Sequence, residues 1–512
     1  MAQPSFGITT GTHEVAGRWK DSGIHFYDLH FADQPELLSK ALNDCDELGL
    51  RYILNFERAE VGWTPSENLK KELRNRSGFM GIMLDEADHM QINAHWPVID
   101  YYGYDDRHFL AETEGLDLLS ARQVVFEALQ KRGLACSVNG KKAIVEFLFP
   151  VMMHTAARAG LHVSPKILKE TCGPVMLAAA MGAARQYGVD FWVDVDCWWH
   201  NEAIGHSVDR FRSAVLLAYW SGASNIYIEG GWHWAETHPV TLGIEKAYRE
   251  FICEYAPSHP RPYTWRDFQP EIAIIRFDDT CFDIRQTHLG EYPGPLYGHV
   301  LAQPENTEWL NIWSLLSHGF IRTDSASHQW EARRFNSRTL FIPLNNVVVY
   351  DYEVGYEPLA GVRLIFLSGP FISPVTYEAV QRKVQEGAIC VLPPRLAPDL
   401  MGARGVSKFT RIQDGSGAWI LLPEFYQLHY ECFCGGPLMQ ELRESLQPFT
   451  GDGDRLVYNF GNWKAEFCQA GGDYSRHEIM TCFVPVTQAG ADPDRLEVQI
   501  SRNFNGDRID LG

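Results

Sequence analysis

The stretch Asn225-Ile-Tyr-Ile-Glu-Gly-Gly231, entered from Ala218-Tyr-Trp-Ser-Gly-Ala223 and left through Trp232-His-Trp234, decides how the chain is read. Side chains alternate along a strand, so Asn225, Tyr227 and Glu229 share one face while Ile226 and Ile228 share the other. In a closed parallel barrel the apolar face packs on surrounding helices and the other faces the lumen. Glu229 then sits at the carboxyl end of its strand, where such barrels carry their chemistry. A single buried carboxylate is as readily structural, so the rest of the chain must decide.

Outward from that strand, extended and helical runs alternate from the start of the chain. Strands are expected at 6–9, 24–31, 51–57, 80–86, 143–149, 161–164, 191–198 and 225–229. Helices with apolar spacing near three and four are expected at 35–48, 116–132, 174–187 and 208–221, ending at Gly49, Gly133, Gly188 and Gly222. Eight such pairs in about 250 residues match a (β/α)8 TIM barrel. If 161–164 is not a strand, 271–277 closes the barrel instead and 225–229 becomes the seventh strand. A Pro-rich exit at 257–262 ends this domain, expected over 1–262. Next comes a doubly wound α/β domain over 263–403, with strands at 272–277, 340–342, 347–349, 363–367 and 388–392. Its helices fall near 307–317 and 374–385. A small β-rich domain is expected over 404–512, including strands at 455–460, 463–468 and 495–500.

Composition narrows the function. The chain has 65 acidic and 45 basic residues, a net charge of −20, without a Lys/Arg run. Nucleic acid and anionic membrane surfaces are therefore excluded as expected partners, and a neutral substrate fits. Eleven cysteines are scattered without a CxxC, as for reduced thiols. The N-terminus has neither a basic nor a long apolar region, and no apolar run is long enough to span a bilayer, so a cytoplasmic location is expected.

Chemistry-bearing residues gather at the expected strand ends. Phe79-Met-Gly-Ile-Met-Leu-Asp-Glu-Ala-Asp-His-Met90 is an apolar strand ending in Asp85, Glu86, Asp88 and His89. The run Phe191-Trp-Val-Asp-Val-Asp-Cys-Trp-Trp-His200 places Trp192, Asp194 and Asp196 on one face. Glu146 on the fifth strand and Asn55 with Glu57 on the third are further inward candidates, equally explained as core polar groups. Lys166, Lys169 and Glu170 follow the sixth strand and carry less weight. Two carboxylates at one mouth suit acetal cleavage: one protonates the leaving oxygen, and the other attacks the sugar or activates water. Trp63, Trp96, Trp198, Trp199, Trp232 and Trp234, with Tyr101 and Tyr102, crowd the same end, and indoles stack on the C–H faces of sugar rings. His30, His89, His200, His206 and His233 lie near strand ends too, and with Asp85, Glu86, Asp194 and Glu229 they offer an oxygen-rich metal site, although no HExxH is present.

The segment Gly361-Val-Arg-Leu-Ile-Phe-Leu-Ser-Gly-Pro-Phe-Ile-Ser-Pro374, followed by a helix and Val384-Gln-Glu-Gly-Ala-Ile-Cys-Val-Leu392, resembles the glutamine-amidotransferase-like domain that follows the barrel in glycoside hydrolase family 42. Ser368 and Gly369 stand where an amidotransferase has its cysteine, and the resemblance implies a structural domain that joins subunits, hence a homo-oligomer, dimer or trimer. It also implies an acid/base at the end of the fourth strand, Glu86, preceded here by Asp85 where that family has Asn. The family's nucleophile is a Glu on the seventh strand. Strand count thus points near Asp196 and residue type points to Glu229. The expected function is a glycoside hydrolase, more readily retaining, with Glu86 as acid/base and Glu229 as nucleophile, and Asp196 and Asp194 as alternatives. Asp85, His89, Glu146, Asn55, Tyr227, Trp198, Trp199, His200, Trp232 and Trp234 are expected to bind a carbohydrate, with no cofactor. The alternatives are a metal-dependent sugar isomerase or lyase and a non-catalytic carbohydrate-binding protein.

Overall fold

A computed structural model describes residues 3–10, 19, 21–30, 35–56, 64–88, 91, 110–113, 115–168, 172–197, 207–229, 239–277, 304–318, 340–397, 409–422, 437–469 and 496–502. Eight parallel strands close a barrel in chain order: β1 (Ser5–Thr10), β2 (Phe26–Leu29), β3 (Arg51–Phe56), β4 (Phe79–Leu84), β5 (Ile144–Phe147), β6 (His162–Ile167), β7 (Trp192–Asp196) and β8 (Asn225–Glu229). The ring shuts where Ser5 pairs with Asn225 and Ile8 with Ile228. All eight expected strands are present. The sixth runs past Pro165 to Ile167, so the fallback closure is overturned: Ile272–Arg276 is β9, a strand of another sheet.

Strand alternation stacks the lumen in two layers. Phe26, Ile53, Met83, Ile144, Trp192 and Tyr227 form a buried apolar plug of their own, separate from the main core. Gly7 completes it, since a β-carbon there would lie 2.3 Å from the Phe26 ring. Two residues further along each strand the inward side chain becomes polar: Thr9, Asp28, Asn55, Asp85, Glu146, Asp194 and Glu229. The opposite faces, including Ile8, Leu54, Ile82, Val145, Val163, Val193, Ile226 and Ile228, belong to the main core beneath the helices.

The helices named in chain order are α1 (Pro35–Leu48), α2 (Glu67–Arg74), α3 (Leu118–Cys136), α4 (Met153–Arg158), α5 (Gly173–Tyr187), α6 (Val208–Trp220), α7 (Pro239–Glu250), α8 (Pro304–Leu316), α9 (Pro374–Gln385) and α10 (Pro437–Thr450). Ser66, Asp117 and Ser207 cap α2, α3 and α6 by accepting backbone N–H bonds. Gly49, Gly188 and Gly222 follow their helices at positive φ. Gly133 does not act as a stop, because α3 runs on to Cys136. A β-carbon at Gly133 would lie 2.6 Å from Leu161, so its smallness serves a close helix–strand approach instead.

A second sheet has the order β11-β9-β12-β13-β15-β14, built from β9, β11 (Val347–Asp351), β12 (Leu364–Ser368), β13 (Ile389–Leu392), β14 (Thr410–Asp414) and β15 (Gly417–Leu421). All its pairs are parallel except the antiparallel edge β14–β15. A third sheet joins β10 (Leu344–Asn345), β16 (Leu456–Phe460), β17 (Trp463–Gln469) and β18 (Leu496–Arg502). Residues 340–342 form no strand. The neighbouring β10 pairs with β16, and β14 and β15 extend the second sheet beyond residue 403. No helix among the described residues is long and apolar enough to cross a membrane.

Helix α5 has the composition of a core element, GPVMLAAAMGAARQY, because it lies between barrel and second sheet. Its Gly182 lets β11 come so close that an added β-carbon would fall 1.6 Å from the Val349 carbonyl oxygen. Around this contact Arg122 pairs with Asp351 and donates to Glu353 and the Tyr352 hydroxyl at 3.0 Å each, while Tyr187 donates to Asp351 at 2.9 Å. In a free helix Gly→Ala gains about 1 kcal/mol. Here Gly182→Ala is expected to destabilise by about 2–3 kcal/mol in denaturant unfolding, because the helix and sheet backbones must separate. A stabilised variant would show that the two elements do not pack this closely.

Candidate active site

The polar layer sits at the carboxyl ends of the strands and converges on one ammonium. Lys166 of β6 is fully buried, with its Nζ 2.5 Å from Glu229 Oε2, 3.0 Å from Glu86 Oε1 and 3.3 Å from Glu146 Oε2. Asp196 follows at 3.4 Å, Asp85 at 3.6 Å and Asp194 at 3.9 Å. Each partner arrives by the same local logic. Asp194, Asp196 and Glu229 occupy inward positions of β7 and β8, and register sets Asp196 beside Glu229. Asp85 and Glu86 lie in the turn directly after β4. Glu86 adopts φ 41°, and Leu168, two residues after Lys166, adopts φ 81°. Non-glycine residues avoid this left-handed region unless their surroundings hold them there, so strain is stored on both sides of the lysine contact.

Around this centre, His30 Nε2 lies 3.2 Å from Asp85 Oδ2 and 3.9 Å from Glu229 Oε1. Thr9 donates to Asp28 at 2.8 Å and Asn55 donates to the same oxygen at 3.3 Å. The Tyr227 hydroxyl donates to Glu146 and lies 3.0 Å from Ser164 Oγ. Among the described residues seven carboxylates therefore share the lumen with one lysine and one histidine, and that imbalance sets the ionisation.

Burial, together with neighbouring negative charge, pushes the Glu146 and Asp194 carboxyls well above the usual range, against the pull of Lys166. Burial also raises Asp28 to about 7, in spite of His30, Thr9 and Asn55. Burial works the same way on Asp85, but there the Lys166 ammonium and bonds from Glu146 and His30 prevail and hold it below the ordinary value. For Lys166, burial favours the neutral amine; Glu146, Glu229, Glu86 and Asp85 outweigh it and keep the group charged. Glu146 Oε2, Asp85 Oδ1 and both Asp194 oxygens are buried without a well-formed hydrogen bond, and the raised values of Glu146 and Asp194 favour a carboxyl proton on each that such an oxygen accepts.

The structure thus brings together Asn55, Asp85, Glu86, Glu146, Asp194, Asp196, Tyr227 and Glu229 from the sequence-derived set. Exposure separates them: the side chain of Glu86 is 17% exposed and that of Glu229 8%, whereas those of Asp194, Asp196 and Glu146 are enclosed. His89, Trp198, Trp199, His200, Trp232 and Trp234 lie outside the described residues, as do Glu57, Trp63, Trp96, Tyr101, Tyr102, Lys169, Glu170, His206 and His233. Sequence reasoning undervalued Lys166 and passed over Asp28. Its signal was present: continuing the alternation of Ser164 through Pro165 turns Lys166 inward.

No protein-family model matches the chain, and no curated protein sequence does. Among solved structures it is similar to an α-L-fucosidase isoenzyme 2 from Paenibacillus thiaminolyticus, with a TM-score of 0.52 and 10% identity over 99% of this chain and 93% of that one. It is also similar to the exo-β-1,4-mannosidase Op5Man5 from Opitutaceae bacterium strain TAV5, with a TM-score of 0.44 and 12% identity over 88% of this chain and 95% of that one. At these identities the first likeness is one of fold.

Asp28 offers a test of the lumen's electrostatics. Its folded value of about 7 exceeds the ordinary value of 3.8, so its stabilising contribution is complete below about pH 4 and lost as pH rises through 7. The wild type's advantage over Asp28→Asn should therefore shrink by about 2–4 kcal/mol between pH 4 and 7 in urea melts. Parallel pH profiles would show that Asp28 ionises normally.

Proposed function

We propose that the chain is a retaining glycoside hydrolase in which Glu86 is the acid/base and Glu229 the nucleophile. The observation that carries this reading is their convergence on Lys166 Nζ. The two bonded oxygens can be no further apart than the two contacts laid end to end, 5.5 Å. Carboxyl groups about 5–5.5 Å apart suit a covalent glycosyl intermediate, while inversion needs about 6.5–9.5 Å to seat a water. Glu86 and Glu229, with Asp85, are also the acids of the cluster that are not wholly enclosed, which favours Glu229 over its neighbour Asp196 as the group that meets substrate. A fold shared with a solved α-L-fucosidase raises the prior for this chemistry without supplying it.

In the first step the Glu229 carboxylate bonds to the anomeric carbon, the glycosidic C–O bond breaks, and Glu86 gives its proton to the departing oxygen. In the second, Glu86 takes a proton from water as that water bonds to the anomeric carbon and Glu229 leaves. Trp198, Trp199, Trp232 and Trp234 are proposed to stack on the sugar. The second domain is read as a structural, subunit-joining unit.

A second reading, a metal-dependent isomerase or lyase, has one observation in its favour. Glu146, Asp194 and Glu229 each offer an oxygen within 4.8 Å of the others. Lys166 faces the same three residues and already brings a positive charge to them. Hydrolysis of aryl glycosides should survive exhaustive chelation, and loss restored by one divalent ion would favour the second reading. Glu86→Gln and Glu229→Gln should each lower kcat/KM by roughly 10²–10⁴-fold. NMR of the first-formed sugar should show the substrate's anomeric configuration. Unchanged cleavage in both variants would sink the assignment.

A further inference from the structure

Lys166 has three N–H donors and six carboxylate side chains within 3.9 Å, so it cannot serve all of them at once. Asp85 and Glu146 also have His30 and Tyr227 as partners. The two carboxylates nearest to it, Glu229 at 2.5 Å and Glu86 at 3.0 Å, are those whose charges the proposed reaction exchanges. Before bond cleavage Glu229 is the anion and Glu86 holds a proton. In the glycosyl-enzyme Glu229 is a neutral ester and Glu86 is the anion. A cation fixed on either one alone would oppose half of the cycle.

We propose that Lys166 is a positioning residue that follows this charge, shifting its strongest hydrogen bond from Glu229 to Glu86 as the covalent intermediate forms and back as water releases the sugar. The inference rests on the hydrolase reading and adds the group that lets one acid act in both protonation states. The geometry suits it. The ammonium is within hydrogen-bond reach of both acids and shut off from solvent, so a shift of Nζ by about half an ångström exchanges its closer partner and no water need follow. The strained turns at Glu86 and Leu168 hold the partners at this range, as expected where position matters more than local comfort. A nucleophilic, imine-forming lysine is the opposing idea, but that role needs a neutral, accessible amine, and this one is enclosed by anions.

The test uses Lys166→Gln in the full chain, with an activated aryl glycoside that the wild type hydrolyses. Removing the ammonium raises the pKa of nearby carboxyls. Both limbs of the kcat/KM profile, the acidic one for ionised Glu229 and the basic one for protonated Glu86, should therefore move to higher pH by about one unit. The kcat should fall about 100-fold with KM changed less than about threefold, and Lys166→Arg should recover at least a tenth of the wild-type rate. Limbs that stay in place overturn the proposal even if kcat falls, because a merely structural lysine would lower activity without moving them. If Lys166→Gln fails to fold, the wild type is crystallised free and with a trapped glycosyl group. An Nζ closer to Glu86 than to Glu229 in the trapped form supports the proposal, and one that stays closer to Glu229 refutes it. A wild type that cleaves no glycoside removes the hydrolase reading and this inference together, whereas cleavage with unmoved limbs removes only the role of Lys166.

Discussion

A carboxylate taken out of water needs a cation or a proton, because desolvating it alone costs several kcal/mol. Among the described residues the carboxyl end of this barrel's lumen gathers seven of them, and the ammonium of Lys166 lies within 3.9 Å of six. The arrangement depends on that contact. Without it, Glu86, Glu229 and Asp196 would face one another at the strand ends with His30 as the one other basic side chain among the described residues of the lumen. With it, Asp85 is held below the usual carboxylate range, while burial pushes Glu146 and Asp194 well above it against the same ammonium's pull. The apolar plug beneath supports the layer from below. Phe26, Ile53, Met83, Ile144, Trp192 and Tyr227 exclude water from under the polar ring and fix the strand stagger that sets its members level.

Much of this was legible in the sequence, because strand period is a local property. In Trp192-Val-Asp-Val-Asp196 and Asn225-Ile-Tyr-Ile-Glu229 the alternation alone assigns the inward face, and the eight strands follow from the same rule. The misreadings have local causes too. Pro165 looked like a strand end, yet pairing with Phe147 carries β6 past it to Lys166. Gly133 looked like a helix stop, although it marks a close approach to Leu161. Residues 340–342 carry the β-branched and aromatic look of a strand, but the hydrogen bonds go to Leu344 and Asn345 in a different sheet. Sheet membership is a long-range property that no window of sequence contains.

The site was half legible for the same reason. Alternation shows that Asp194, Glu146 and Glu229 point inward, but which acids meet depends on how strands stand around the ring. Register places Asp196 against Glu229. The lysine that joins Glu86, in the turn after β4, to Glu229 on β8 comes from the strand whose sequence signal was weakest. Strand counting, which favoured Asp196, and residue type, which favoured Glu229, are reconciled by adjacency: the two acids stand side by side, and only Glu229 of the pair reaches toward solvent.

The most direct test of the account is the identity of the residue that becomes covalently attached to the sugar. The protein is incubated with 2-deoxy-2-fluoro glycosides, which slow release of the intermediate, then digested, and the labelled peptide is sequenced by mass spectrometry. The account predicts one glycosyl group per chain, on Glu229. A label on Asp196 would move the nucleophile to the neighbouring strand. Hydrolysis that never yields a labelled carboxylate would contradict a retaining mechanism centred on Lys166.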